Sequence, residues 1–213
     1  MIPIDLPYLR RIATRESPAS ILSEPKFLDA QKLFFEVVQD LKGTVDFEIA
    51  DMREVHAIAA LEDVKNKRVL DVGCGSTEPY VLENTFRNRY PPFFAEMLTR
   101  HGAHVTGVDI RENPTATYDH RQLDLTKKNW MKALDPPYDI IACLSLFNAP
   151  GSPFENNPTL CDRIMRDMHA LLSPDGVLIV TLRDDCENPK TYLESMKFTL
   201  LHLDGNCALA SPH

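Results

Sequence analysis

Val69-Leu70-Asp71-Val72-Gly73-Cys74-Gly75-Ser76 runs an apolar strand into a turn built on two glycines. Glycine lacks the Cβ that holds a ligand away from the backbone, so such a turn lets main-chain N–H groups approach a bound molecule. A dinucleotide fingerprint would need a third glycine at position 78, and Glu78 stands there. A carboxylate at that point would repel a pyrophosphate seated on the next helix N-terminus. No Gly-Lys-Ser/Thr run is present either, which excludes a P-loop. The turn suits a ligand without phosphates.

Working outward, strands and helices alternate. Residues 68–72 form the first strand. Residues 105–108 predict a second, preceded by a helical stretch from Pro91 to Gly102 in which Gly102 serves as the C-terminal cap. A third, weaker strand falls at 118–123, and 139–144 is a continuous apolar run of the kind buried on both faces. A helix over 157–172 closes at Ser173-Pro174-Asp175-Gly176, and 177–182 is the fifth strand. This alternation predicts a parallel sheet with crossover helices. Segments 198–203 and 207–210 flank Asp204-Gly205-Asn206, the turn chemistry of an antiparallel hairpin that adds an edge to the sheet. Upstream, 1–23 reads as an irregular arm with Pro3, Pro7 and Pro18. Residues 24–41 place Phe27, Leu28, Leu33, Phe34, Val37, Val38 and Leu41 at helical spacing, with Gly43 as the stop, and 49–64 is a second amphipathic stretch. The fold class is a doubly wound, Rossmann-like α/β sheet of seven strands, mostly parallel with an antiparallel C-terminal hairpin strand. A helical N-terminal lead or lid, 1–64, precedes the ligand-binding domain, 65–213.

The chain has 213 residues, 44% hydrophobic and 25% charged, which is globular composition for one domain or a domain with an appendage. No window approaches the ~20 apolar residues that a bilayer span demands. Met1 leads into Ile-Pro-Ile-Asp without a cationic flank and long apolar run, so a cytoplasmic protein without a signal peptide is expected. The five cysteines are scattered and form no C-x-x-C pair, which argues against a disulfide framework or structural zinc. A net charge of −8 offers no surplus of basic side chains to neutralise phosphates and argues against a nucleic-acid partner.

Asp71-Val72-Gly73-Cys74-Gly75 resembles the cofactor loop of class I S-adenosylmethionine-dependent methyltransferases. The likeness continues in chain order to the C-terminus. Val105-Thr106-Gly107-Val108-Asp109 is similar to that family's second strand, whose terminal acid binds the ribose hydroxyls; a carboxylate suits a cis-diol because it accepts two hydrogen bonds. Leu123-Asp124-Leu125 resembles the adenine-edge element, Tyr138 to Ser145 the fourth strand, Leu171 to Ile179 the turn into the fifth, and the closing hairpin the sixth and seventh. The resemblance implies S-adenosylmethionine as cofactor. It further implies a site made of Asp71, Gly73, Cys74 and Gly75 on the methionine side, Asp109 and Ile110 at the ribose, Asp124 and Leu125 at the adenine, and Ser145 near the transfer site. The alternative is a doubly wound domain in which Asp109 and Asp124 merely cap helices, and five elements in chain order favour the cofactor site.

Asp109 follows Gly73 by 36 residues, against about 20 in a simple βαβ unit. The surplus falls in 77–92. Either this insertion walls an acceptor pocket with Tyr80, Phe86, Tyr90 and Phe93, or it is one longer crossover helix whose aromatics pack on the sheet. Metal-dependent catechol-type members of the family end their fourth strand in an acid. Here the strand ends in Leu144-Ser145-Leu146, so no metal is expected. Members that methylate the amino groups of nucleic bases or glutamine carry Asn or Asp before Pro-Pro-aromatic, and Phe147-Asn148-Ala149-Pro150 departs from that motif. His101, His104 and His120 are candidates to reach the sheet edge, but no general base is identified. The acidic loop at 183–187 reads as a solvated charge run or as a lure for a cationic acceptor. The expectation is methyl transfer to a small molecule. A non-catalytic partner-binding subunit of the same fold, or a protein or RNA methyltransferase, are the alternatives.

Overall fold

A computed structural model describes residues 4–5, 7–9, 23–41, 53–61, 63–77, 91–144, 146–149 and 151–213. Seven strands form one sheet in the order β3-β2-β1-β4-β5-β7-β6. Their bounds are β1 Arg68–Val72, β2 His104–Asp109, β3 Asp119–Gln122, β4 Tyr138–Cys143, β5 Leu172–Thr181, β6 Phe198–Asp204 and β7 Cys207–Pro212. The helices are α1 Pro25–Leu41, α2 Arg53–Ala60, α3 Phe93–Arg100, α4 Pro158–Leu171 and α5 Pro189–Ser195.

β1 to β5 are mutually parallel. The chain steps from β1 outward to β2 and β3, then returns to the other side of β1 with β4. That reversal opens a crevice at the carboxyl ends of β1 and β4, the place where doubly wound sheets take ligands. The central strands are apolar because both faces are covered. Val69, Ile140, Ala142, Val177 and Ile179 face a core shared with α1, α2 and α3. Leu70, Val72, Val108, Ile141, Leu178 and Val180 face α4, α5 and Trp130. The rim strand β3 reads Asp-His-Arg-Gln, polar throughout, which suits an edge that must not recruit another strand.

Local chemistry sets the element ends. Asn157 caps α4 by accepting the Leu160 N–H at 3.1 Å, with Pro158 in the first turn. Gly102, at φ +84°, ends α3, and the Ala103 N–H returns to the Leu98 carbonyl at 3.1 Å. α1 buries Phe27, Ala30, Phe34 and Val37. Phe34 meets Phe93 of α3 with ring centroids 5.3 Å apart, so the helical lead packs through α3 onto the sheet.

One detail departs from the sequence reading. The expected turn at 173–176 belongs to β5. Tyr138 pairs with Leu172 and Ile140 with Val177, so four residues bulge against Asp139 alone. Gly176 permits this, since a Cβ there would lie 2.7 Å from Cγ of Leu172. The closing hairpin adds to the sheet beside β5, as the sequence predicts. β7 inserts antiparallel between β5 and β6. The buried Ala208, Leu209 and Ala210 of β7 belong inside, whereas Thr199, His202 and Asp204 leave β6 for the rim.

Candidate functional site

The glycine turn follows β1 at the crevice. Gly73 (φ +73°) and Gly75 (φ +87°) both adopt the left-handed conformation that L side chains avoid. A Cβ on Gly73 would also lie 2.9 Å from Cδ1 of Leu146, in the loop after β4. The Gly73 and Cys74 N–H groups donate to the Val108 carbonyl at 2.9 and 3.1 Å, and the Gly75 N–H donates to Oδ2 of Asp109 at 3.1 Å. The turn is thereby tied to the end of β2. Asp71, 3% exposed, sits just before it and lines a small cavity with Gly73, Cys74, Pro91, Phe93, Phe94 and Leu144.

Asp109 is the junction of the site. Besides the Gly75 N–H, its carboxylate accepts from the Arg111 backbone N–H at 3.0 Å and from Arg111 Nε at 3.2 Å, both on Oδ1. This ion pair is largely buried. A carboxylate offers about four lone-pair directions, two on each oxygen, so with Oδ1 accepting twice and Oδ2 once the remaining acceptor capacity lies on Oδ2. Ile110, next in sequence, is half exposed and presents an apolar surface beside the acid.

The Leu123 N–H donates to the Asp109 carbonyl at 2.8 Å, which brings Asp124 and Leu125 beside β2's end. Oδ1 of Asp124 accepts from the N–H and the hydroxyl of Thr126, at 2.9 and 2.6 Å, and Lys127 lies 3.6 Å from Oδ2. The Thr126 hydroxyl above all, then its N–H and Lys127, hold the Asp124 carboxyl below the usual carboxylate range despite some burial. Asp124 therefore does stabilise a local turn. Leu125 is buried and its carbonyl accepts from Arg163 of α4 at 2.5 Å. Asp71, Gly73, Cys74, Gly75, Asp109, Ile110, Asp124 and Leu125 thus all lie along the carboxyl edge. Ser145, with Tyr80, Phe86 and Tyr90, lies outside the described residues. Phe93 opens α3 and faces both Phe34 and the small cavity.

Behind the turn stands a cluster that the sequence reading missed. Cys74 Sγ lies 3.4 Å from the Gly75 carbonyl oxygen, 3.6 Å from the Tyr118 hydroxyl and 3.7 Å from Nδ1 of His120. Asn113 Nδ2 donates to the Tyr118 hydroxyl at 3.1 Å, and the Thr77 hydroxyl donates to Asn113 Oδ1 at 2.9 Å. Burial, then Asp71 and Asp109, push the Cys74 thiol well up, and burial pushes the Tyr118 phenol up. Both are neutral at physiological pH, so the cluster supports the turn rather than supplying a nucleophile. The signal for it was Gly107, a glycine in mid-strand. A Cβ there would lie 2.4 Å from Cε2 of Tyr118 and 2.9 Å from Cys74 Sγ.

Other candidates are settled by position. His104 opens β2 and His101 follows α3, both at the amino edge, opposite the turn, while His120 contacts Cys74 and the Arg111 carbonyl at 2.9 Å. Asn148 spends both ends of its amide on the scaffold: Nδ2 donates to the Leu182 carbonyl at 2.8 Å and Oδ1 accepts from the Asp184 N–H at 3.1 Å. In the acidic loop, Asp185 pairs with Arg183 and Asp184 accepts from Asn206 Nδ2 at 2.8 Å. A cleft of about 430 Å³ lies at the amino edge, where Arg121 is already paired with Asp119 and Asp135. Among the described residues no helix is long and apolar enough to cross a membrane.

Residues 47–207 match a family model described as a methyltransferase domain. The ubiquinone biosynthesis O-methyltransferase of Pseudomonas aeruginosa is 25% identical over 136 residues, which is 60% of this chain and 48% of that protein. The chain thus spans about half the length of the curated relatives it matches. In backbone, it is similar to TehB from Haemophilus influenzae, with a TM-score of 0.54 at 15% identity over 83% of this chain and 67% of that one. A TehB-like SAM-dependent methyltransferase from Corynebacterium glutamicum gives a TM-score of 0.50 at 14% identity over 87% and 99%. At such identities the two structures attest the fold.

Proposed function

Since the chain belongs to the methyltransferase-domain family and has the class I S-adenosylmethionine-dependent fold, we propose that it transfers the methyl group of S-adenosylmethionine to a small-molecule acceptor. The observation that carries this reading is the bond from the Gly75 N–H to Asp109 at the switch point, which holds a diol-binding acid against an open glycine turn.

The residues present fit that cofactor. Gly73 and Gly75 keep the backbone uncovered where the methionine moiety would pass, with buried Asp71 beneath. Asp109 would accept from the ribose hydroxyls, its charge held in place by Arg111. Ile110 would cover one face of the adenine, and Asp124 with the Leu125 backbone would read its edge. Cys74 packs under the turn, and Ser145 belongs to the segment leading to the acceptor. When bound, the cofactor supplies an activated methyl on a sulfonium. The protein's part is then to hold the acceptor in line with the departing sulfur and to exclude water. In this reading 65–213 binds the cofactor and the 1–64 lead closes over it. The −8 charge disfavours a polyanionic acceptor. The apolar core shared by α1, α2, α3 and the sheet supports a lead that acts as part of one unit.

Calorimetric titration with S-adenosylhomocysteine tests the reading. Saturable one-to-one binding is expected. A folded protein that binds none would overturn it in favour of a partner-binding subunit.

A further inference from the structure

Thr181 ends β5 completely buried, and its hydroxyl has no hydrogen-bond partner among the described residues. Folded proteins rarely leave a buried hydroxyl unpaired, because it forfeits its bonds to water and gains nothing in return. Alternation along β5 fixes where this side chain lies. Leu178, Val180 and Leu182 belong to the core under α4, while Val177 and Ile179 belong to the core under α1, α2 and α3. Thr181 shares the second face, as does its cross-strand partner Cys207. Asp71 follows Val69 by two and is on the same face.

The register gives the level. Asp71 pairs with Ala142, and Ala142 with Ile179. Thr181 therefore lies level with Gly73, two strands across, about 10 Å at the usual strand spacing. The loop after β4 spans that interval. Leu146 covers Gly73 at one end, and Asn148 Nδ2 holds the carbonyl of Leu182 at the other. The residues that this register sets near Thr181 on the same face, Leu144, Ile179 and Leu209, are buried and apolar. In the loop after β5, Asp184 and Asp185 are engaged with Asn206 and Arg183 respectively.

We infer that Thr181 is a positioning residue for the methyl acceptor, and that the acceptor is an uncharged, largely apolar molecule that sets one hydroxyl or amine against it. The inference rests on the methyl-transfer reading above. A threonine hydroxyl donates one hydrogen bond and accepts two, so it serves either group, and apolar surroundings disfavour an acceptor that brings in an unpaired ion.

Thr181→Val and Thr181→Ser, compared with the wild type, test this. Valine removes the unpaired hydroxyl at nearly constant volume, so without acceptor its Tm should rise by about 2–4 °C. S-adenosylhomocysteine affinity should not change. In methyl-transfer assays with catechol, 1-naphthol and aniline against 3,4-dihydroxybenzoate and lysine, the uncharged members should be preferred. For the best of them, Thr181→Val should raise KM about 10-fold with kcat within about threefold, and Thr181→Ser should restore KM. A lower Tm in Thr181→Val, an unchanged KM, or turnover confined to the charged compounds or absent from all five would overturn the inference. Each of these outcomes leaves the cofactor reading intact where S-adenosylhomocysteine still binds; loss of that binding in the wild type overturns the reading itself.

Discussion

Replacing Asp109 by Ala separates two roles that one carboxylate can hold. The acid accepts from the Gly75 N–H at 3.1 Å, the Arg111 N–H at 3.0 Å and Arg111 Nε at 3.2 Å. Losing it removes an acceptor from the Gly75 N–H and from Arg111, whose side chain is only 15% exposed. Removing one partner of a fully buried ion pair costs about 3–5 kcal/mol, and some solvent access lowers this to about 2 kcal/mol. At about 2–4 °C per kcal/mol for a chain of this size, Tm should fall by about 4–8 °C. The cofactor role adds a separate loss. Hydrogen bonds to a charged group contribute about 1.5–3 kcal/mol, so the S-adenosylhomocysteine Kd should weaken by about 10- to 150-fold. Calorimetric titration at a temperature where the variant remains folded reads the second effect free of the first. A lower Tm with a Kd within about twofold of wild type would refute the ribose assignment and leave Asp109 as a clamp for the turn and Arg111.

Two further expectations concern the scaffold. Gly107→Ala drives a Cβ into the Tyr118 ring and the Cys74 sulfur; overpacking of this kind costs about 1–3 kcal/mol, and denaturant melts should show it together with weaker S-adenosylhomocysteine binding as the turn shifts. His56 and His101 both have pKa values lowered by burial, against the opposing pull of Asp204 and Asp29 respectively. The folded state therefore resists protonation that the unfolded state accepts near 6.5. Stability is full above that value and is lost as pH falls through it, so Tm should drop between about pH 7 and 5.5. A His56→Gln/His101→Gln double variant should show a flatter profile; an unchanged slope would assign the effect elsewhere.

The parts legible in the sequence were those governed by neighbours along the chain. The apolar run of β1, the glycines that follow it and the Gly102 stop are each local choices with local consequences, and each stands where its chemistry predicts. Asp109 and Asp124 were legible for a related reason: a residue at a strand's carboxyl end has its place set by the strand. What failed to appear depended on segments far apart in the chain. The bulge at 173–176 needs β4 alongside it before its turn residues can be absorbed into a strand. Whether a histidine near β2 serves the site depends on which edge it occupies, and His104 opens the strand rather than closing it. The ring of Tyr118 over Gly107, the Arg111 clamp on Asp109 and the solitary hydroxyl of Thr181 arise from tertiary register alone. By itself the sequence determined a doubly wound sheet with a glycine turn open to a ligand, because periodicity and turn chemistry act within a few residues. Only the tertiary structure decided which side chains support that turn and which polar group is left unpaired beside it, because burial and hydrogen-bond partnership exist only once distant strands have met.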